Sequence, residues 1–245
     1  MRIVFLTPSG EMGGAERSLL DVAASLRAAR PAWPLALVAP AAGPLADEAR
    51  TLGIAVRILP FPPRLERLGD ADAGSLPALA ASLAAAVPAA AAYTRRLHKL
   101  LGELRPDVVH SNGLKTHLLS ALARPRAAAL LWHLHDYAGG RPAMARLLRL
   151  AAPRCDVMVA NSASVRDDAR RVLGADIPVH VVYNAVDLRR FAPGPGTVDL
   201  DAAAGLPPAP AGTVRIGLVA TMGVWKGHDC VLRALALLPA ESRVR

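Results

Sequence analysis

Aromatic residues are scarce in this chain, at 4% of 245 positions, while 53% are hydrophobic. Large rings therefore cannot dominate the core, and alanine, leucine and valine must pack it. Cysteine is scarcer still. Cys155 and Cys230 stand far apart, with no further cysteine or paired-histidine spacing near either. That excludes a disulfide framework and a cysteine zinc site, and makes a reducing cytoplasm the default compartment. One arginine and a four-residue apolar run precede Thr7-Pro8-Ser9, too little for a signal peptide. Acidic residues are also in deficit: 20 against 29 lysines and arginines, a formal charge of +9. Such a surplus fits nucleic acid, an anionic membrane or a phosphorylated substrate. No nucleic-acid module is legible, and the basic residues are not interleaved with stacking aromatics, so no nucleic-acid partner is expected. The longest uncharged run, Leu76 to Tyr93, nears the length of a membrane span. It is mostly alanine and is interrupted by Pro77 and Pro88, which favours a helix on or in a soluble protein.

What is present is punctuated regularly. Ile3 to Leu6 reads as a strand, Gly10-Glu11-Met12-Gly13-Gly14 as a turn, and Ser18 to Leu26 as an amphipathic helix. Glycines let backbone approach a ligand, and a helix start favours an anion; the same glycines also suit a plain tight turn. Further strands are expected at Trp33 to Ala39, Ile54 to Leu59, Asp107 to His110, Leu130 to Leu134, Asp156 to Ala160 and Val179 to Tyr183. Helices fall between them, at Leu45 to Leu52, Pro77 to Leu104, Leu114 to Ala123, Pro142 to Leu150 and up to Leu173, the last capped by Ser162 or Ser164. This alternation predicts an α/β fold: a Rossmann-like parallel sheet with helices on both faces.

Residues 1–191 form that domain, and the proline- and glycine-rich stretch 192–212 reads as a linker. Residues 213–245 repeat the opening pattern as a truncated βα unit: a strand at Val214 to Ala220, a turn carrying Gly223 and Lys226, and a helix from His228 to Leu238. Asp70-Ala71-Asp72 and Asp199-Leu200-Asp201 could pair on a divalent metal, but no apolar strand leads into the first, and both read as solvated loops. His133 and His135 share one face of their strand, yet a third metal ligand is not apparent, so no metal is assigned. His110, His135 and the Gly13-Gly14 turn all fall at the C-terminal ends of parallel strands, the rim where open α/β sheets hold ligands. Arg141, Arg146, Arg149 and Arg154 surround the Pro142 helix, which either rests on an acidic membrane surface or presents a solvated basic face.

Gly13-Gly14-Ala15-Glu16, His135-Asp136, Asn161-Ser162, Asn184-Ala185-Val186-Asp187 and Lys226-Gly227 recur in an order that resembles a known family. It is the retaining, nucleotide-sugar-dependent glycosyltransferases of the GT-B fold, family 4-like in kind. The resemblance covers the first half, or slightly more, of a typical member. It implies that His135 lines the reaction centre as the catalytic position. Gly13, Gly14, Glu16, His110, Asp136 and Asn184 would bind substrate, and Lys226 with Gly223 would hold the donor diphosphate. It further implies a nucleoside-diphosphate sugar as donor substrate and no other cofactor, with a glycan or glycolipid acceptor of the cell envelope. The expected location is cytoplasmic, with peripheral contact to the inner face of an anionic membrane. The sequence departs from the family at Ala185, where glycine is usual, and at Thr221, where an arginine is common. The family's glutamate-rich donor motif would lie beyond Arg245. Negligible sugar transfer by this chain alone is therefore expected, or else a companion chain that supplies the donor side. A non-catalytic half that binds an acceptor, a membrane or a partner is the rival reading. A nicotinamide enzyme is not favoured, because Gly10 to Ala15 lacks the Gly-x-Gly-x-x-Gly spacing and the second strand ends Val38-Ala39-Pro40 without an acid.

Overall fold

In the computed structural model the described residues are 1–66, 76–174, 176–189, 191–194, 198–223, 226–239 and 242. They form two compact units, Met1–Val186 and Asp187–Arg245.

The first unit is a seven-stranded, wholly parallel sheet in the order β3-β2-β1-β4-β5-β6-β7. Its strands are β1 (Ile3–Leu6), β2 (Leu35–Ala39), β3 (Ala55–Ile58), β4 (Val108–Asn112), β5 (Ala129–Leu134), β6 (Val157–Ala160) and β7 (Val179–Val181). The central strands read IVFL and LALVA and are buried throughout, as strands covered on both faces must be. Helices α1 (Gly14–Ala29), α2 (Pro44–Thr51), α3 (Pro63–Glu66), α4 (Leu76–Leu104), α5 (Leu114–Ala123), α6 (Pro142–Ala151) and α7 (Ala163–Leu173) link them. One core joins Phe5, Leu37 and Ala39 of the sheet to Leu19, Leu20 and Ala23 of α1 and Leu45 of α2. The other joins Leu6, Trp132, Leu134 and Met158 to Leu97 and Leu101 of α4, Leu148 of α6 and Val165 of α7. The Rossmann-like α/β expectation thus holds. Strand order reverses between β1 and β4, and a crevice opens above their C-terminal ends.

Differences from the sequence reading are local and have physical causes. β4 continues through Ser111 and Asn112, because Asn112 finds a partner in His133. Pro88 does not interrupt α4, whose Ala86, Tyr93, Leu97 and Leu101 are buried at helical spacing. Among the described residues no helix is long and apolar enough to cross a membrane. Asp70 and Asp72 lie outside the described residues.

The second unit corrects two expectations. Within 192–212 one short helix, α8 (Leu200–Ala203), is capped by Asp199, whose side chain accepts from the N–H groups of Asp201 and Ala202. Asp201 is buried, accepts from Ala209 N–H and pairs with Arg215 at 2.5 Å, so it is not a solvated loop residue. The strand expected at Val214 to Ala220 does not form. Val214 makes an isolated bridge, and residues 215–220 enter no ladder. A strand exists only through a neighbour that takes its N–H and C=O groups. The following helix, α9 (His228–Ala236), does form.

Candidate functional site

Three loops at the rim of the first unit enclose a cavity of about 310 Å³. The β1–α1 turn supplies Pro8, Ala15 and Glu16; the β4–α5 junction supplies Asn112, Gly113, Lys115 and His117; the chain after β5 supplies His135, Asp136 and Arg141. Two helices begin here without a side-chain cap. Gly13 precedes α1 and Gly113 precedes α5, and neither glycine has a side chain to cap the first N–H groups of its helix. Their first N–H groups face a rim that concentrates the positive ends of two helix dipoles. Gly113 is required for this approach. Its φ is +128°, and a Cβ there would meet Pro8 Cγ at 2.8 Å. Glu16, buried in the first turn of α1, accepts from Thr7 Oγ1 at 3.3 Å and partly balances the dipole of its own helix.

His135 is fixed by a chain of named contacts. Asn112 Nδ2 donates to Ala15 C=O at 3.1 Å, which turns Asn112 Oδ1 toward His135 Nε2 at 2.6 Å. An amide oxygen only accepts, so Nε2 carries the proton and Nδ1 keeps its lone pair. Asn161 Nδ2 donates to the His135 carbonyl at 3.2 Å and holds the backbone. Burial lowers the His135 pKa from its ordinary value, against the opposing charge of Asp136. The result is a neutral, oriented imidazole beside a carboxylate.

Beneath it lie two more imidazoles. His133 lies 4.1 Å between ring centroids from His135, the two rings tilted by 43°, and its Nδ1 is 3.3 Å from His110 Nε2. Burial, then the neighbouring imidazoles, pushes His110 down to about 3, and burial and His135 do the same to His133. On the opposite face of the sheet, His117 bonds Ser111 Oγ through Nδ1 at 2.8 Å and stacks on Trp132. Its pKa is also depressed, chiefly by burial. Among the described residues no three His, Cys, Asp or Glu side chains are grouped to hold a metal ion.

The model for Glycosyltransferase Family 4 matches residues 12–190. The chain belongs to glycosyltransferase family 4. No curated protein matches it. Among solved structures, Anabaena HepE in complex with UDP-glucose aligns with TM-score 0.72 and 23% identity, over 100% of this chain and 59% of that one. The lipopolysaccharide outer core galactosyltransferase WaaB aligns at 0.56 and 16%, over 100% and 60%. Sucrose-phosphate synthase from Thermosynechococcus elongatus aligns at 0.66 and 14%, over 97% and 60%. The family 4 chain therefore spans about three-fifths of the length of these structures, which share its fold.

In this family 4 chain the structure gathers some of the expected residues and separates others. Gly13, Gly14, Glu16, His135 and Asp136 all sit on the rim, and three of them line the cavity. His110 is displaced from it: 6% exposed, it lies one layer down on β4, with its Nε2 3.3 Å from His133 Nδ1. Asn184 lines a different cavity, of about 220 Å³, with Ser18, Asp21 and His133, and its Oδ1 accepts from Ser18 Oγ at 3.0 Å. In the second unit Gly223 lines a cavity of about 620 Å³ with His228 and Cys230. Lys226 is exposed there, its backbone N–H donating to the Gly223 carbonyl at 2.9 Å. Sequence reasoning missed Asn112, Lys115, His117 and Arg141. Asn112 carried a usable signal, a polar residue closing a strand directly before the helix-start glycine.

Proposed function

We propose that this chain is the acceptor-side part of a retaining glycosyltransferase, which moves a sugar from a nucleoside-diphosphate sugar to a glycan or glycolipid acceptor of the cell envelope. The observation that carries the reading is His135, held neutral by burial and oriented by Asn112, in a cavity between two uncapped helix starts. Departure of a nucleoside diphosphate builds negative charge. Fixed N–H dipoles and cations aimed at that charge lower the barrier without a metal. Lys115 and Arg141 are the cations of the rim, and Lys226 with Gly223 is assigned the diphosphate contact by the family resemblance. His135 Nδ1 accepts a hydrogen bond from a sugar or acceptor hydroxyl. The donor is the only cofactor-like molecule required, and the work is done at the cytoplasmic side of the envelope.

A non-catalytic, partner-binding half is the second reading. It is favoured by one observation: α9 buries none of its residues, and Val219, Met222 and Leu237 stand exposed. On either reading, the 245 residues alone bind donor or acceptor but turn over negligibly. Saturation-transfer NMR with UDP-, GDP- and ADP-glucose tests the proposal, with His135→Ala beside the native chain. Sugar protons should receive saturation from the native protein and roughly tenfold less from the variant, about the contribution of one good polar contact. Equal transfer to both would remove His135 from the site. Sustained release of nucleoside diphosphate by the native chain would refute the inactivity. Copurification of a chain carrying a nucleotide-binding domain would favour the second reading.

A further inference from the structure

The chain after β5 carries Asp136 and Arg141 into the rim cavity, and between them lies a single 3₁₀ turn, Ala138–Gly140. Within it, Arg141 N–H donates to the Ala138 carbonyl at 3.1 Å, and Ala138 is buried in the core. Further ties come from the chain after β6 and from α7. Asn161 Nδ2 holds the His135 carbonyl, Tyr137 Oη donates to Ser164 Oγ at 3.0 Å, and Gly139 N–H donates to Asp168 Oδ2 at 3.0 Å.

Asp168 is the tie that α7 does not explain. Its side chain is 6% exposed, and a buried carboxylate is costly unless paired and hydrogen-bonded. It lies past the first turn of α7, where the helix dipole offers it nothing. It pairs with Arg171, whose side chain is 72% exposed, and such an i,i+3 contact forms equally well in solvent. What the buried position adds is the Gly139 amide. The approach is close: a Cβ on Gly139 would fall 2.7 Å from Asp168 Oδ1 and 3.3 Å from Val172 Cγ2. Glycine lets the turn and the helix meet, and the carboxylate joins them by a charge-assisted hydrogen bond, roughly twice as strong as a neutral one. Asp168 itself does not line the cavity.

We propose that Asp168 is a positioning residue of the rim: by holding Gly139 N–H it sets the turn, and the turn sets where Asp136 and Arg141 stand in the cavity. It touches no ligand and acts through the backbone of the turn. The chemistry it serves rests on the glycosyltransferase reading, in which the Arg141 guanidinium meets the departing diphosphate and its placement decides how well it does so. Asp156 provides a comparison. More exposed, it also pairs with an arginine, Arg124, and accepts a backbone N–H, that of Leu130 at 2.7 Å. It precedes β6, at the end of the sheet opposite the rim.

The test is nuclear magnetic resonance of the full 245-residue chain, first without ligand. Asp168→Ala should speed hydrogen exchange at Gly139 by roughly tenfold to a hundredfold, the worth of a hydrogen bond to a charged group, and should shift the Asp136 and Arg141 signals. Asp168→Asn, whose amide oxygen still accepts, should keep that exchange within about threefold of native. Asp156→Ala should also lower stability, yet leave Gly139, Asp136 and Arg141 as they are in the native chain. A carboxylate with a merely structural role would not separate these variants. Pyrophosphate, titrated next as the probe, should bind about fivefold more weakly to Asp168→Ala and within about twofold of native to the other two. Four results would overturn the proposal: native-like exchange at Gly139 in Asp168→Ala, a loss in Asp168→Asn as large as with alanine, rim signals displaced as far by Asp156→Ala, or unchanged pyrophosphate affinity once the turn is freed. A turn freed by Asp168→Ala in a native chain that binds no pyrophosphate would uphold the positioning role and count against the diphosphate reading instead.

Discussion

The two units begin alike in sequence and end differently in structure. Each offers an apolar run, a turn with glycines and an amphipathic helix, at 3–29 and at 214–236. In the first, Ile3 to Leu6 is buried between β2 and β4, and α1 seals Leu19 and Leu20 against the sheet. In the second, Val219 is fully exposed, no ladder forms over 215–220, and Leu232 of α9 and Leu237 just after it stand in solvent. Local pattern makes a helix in both places, because helical hydrogen bonds are internal to the segment. It makes a strand in only one, because a strand's hydrogen bonds belong to its neighbours.

The strongest way to expose this contrast is to truncate one large apolar side chain in each unit. Trp132 is fully buried and stacked on His117, whereas Leu237 is 84% exposed. Trp132→Ala should destabilise the first unit by about 3–5 kcal/mol. Leu237→Ala should lie within about 0.5 kcal/mol of the native chain. Urea denaturation followed by circular dichroism separates the two. Equal losses would mean that the second unit has a core of its own.

Acid should strike the first unit almost as hard. His110 and His133 titrate near 3 in the fold and near 6.5 when unfolded. Above the unfolded value both states are neutral and the pair contributes nothing. As pH falls below 6.5 the unfolded chain takes up protons that the folded chain refuses, so stability drops until about pH 3. At about 1.4 kcal/mol per histidine per pH unit, the two remove roughly 4 kcal/mol between pH 7 and pH 5. That is a large share of the stability of an ordinary domain. A denaturation midpoint independent of pH across this range would contradict the buried, neutral assignment. His133→Asn should remove about half of this two-histidine contribution.

A smaller effect isolates the part of the site that sequence could not supply. The sheet, its order of elements and the rim position of His135 were legible, because central strands are continuous apolar runs and turns carry glycine. The role of Asn112 was not, because it depends on a register. β4 runs on to Asn112 only beside His133, and that pairing places its amide between Ala15 and His135. The same register sinks His110 one layer below the cavity. Likewise the burial of Asp201 follows from Arg215, fourteen positions away, and no local pattern announces it. Asn112 is a positioning residue, and Asn112→Ala should release the His135 ring. Nitrogen-15 NMR should then show the Nε2–H tautomer giving way to a mixture, with donor binding weakened about tenfold, near 1.4 kcal/mol. An unchanged tautomer would mean that something other than Asn112 holds it.

The smallest effect compares helix starts within the first unit. α7 begins at Ser162, whose hydroxyl accepts from Val165 N–H at 3.2 Å, and it lines no part of the rim cavity. Ser162→Ala should cost about 1 kcal/mol, the usual worth of such a cap. α1 begins at Gly13 with no side chain to do the same. If that start were uncapped by chance, Gly13→Ser would stabilise the fold and leave ligand binding alone. If the free N–H groups are kept for an anion, the serine hydroxyl competes for them. Its Cβ also falls 2.8 Å from Glu16 Oε2 and turns that carboxylate aside. Thermal melts should therefore show Gly13→Ser within about 0.5 kcal/mol of native, since glycine caps nearly as well as serine, while binding of a nucleoside diphosphate falls severalfold. A variant that gains stability and binds as before would make the glycine turn a matter of chain geometry alone.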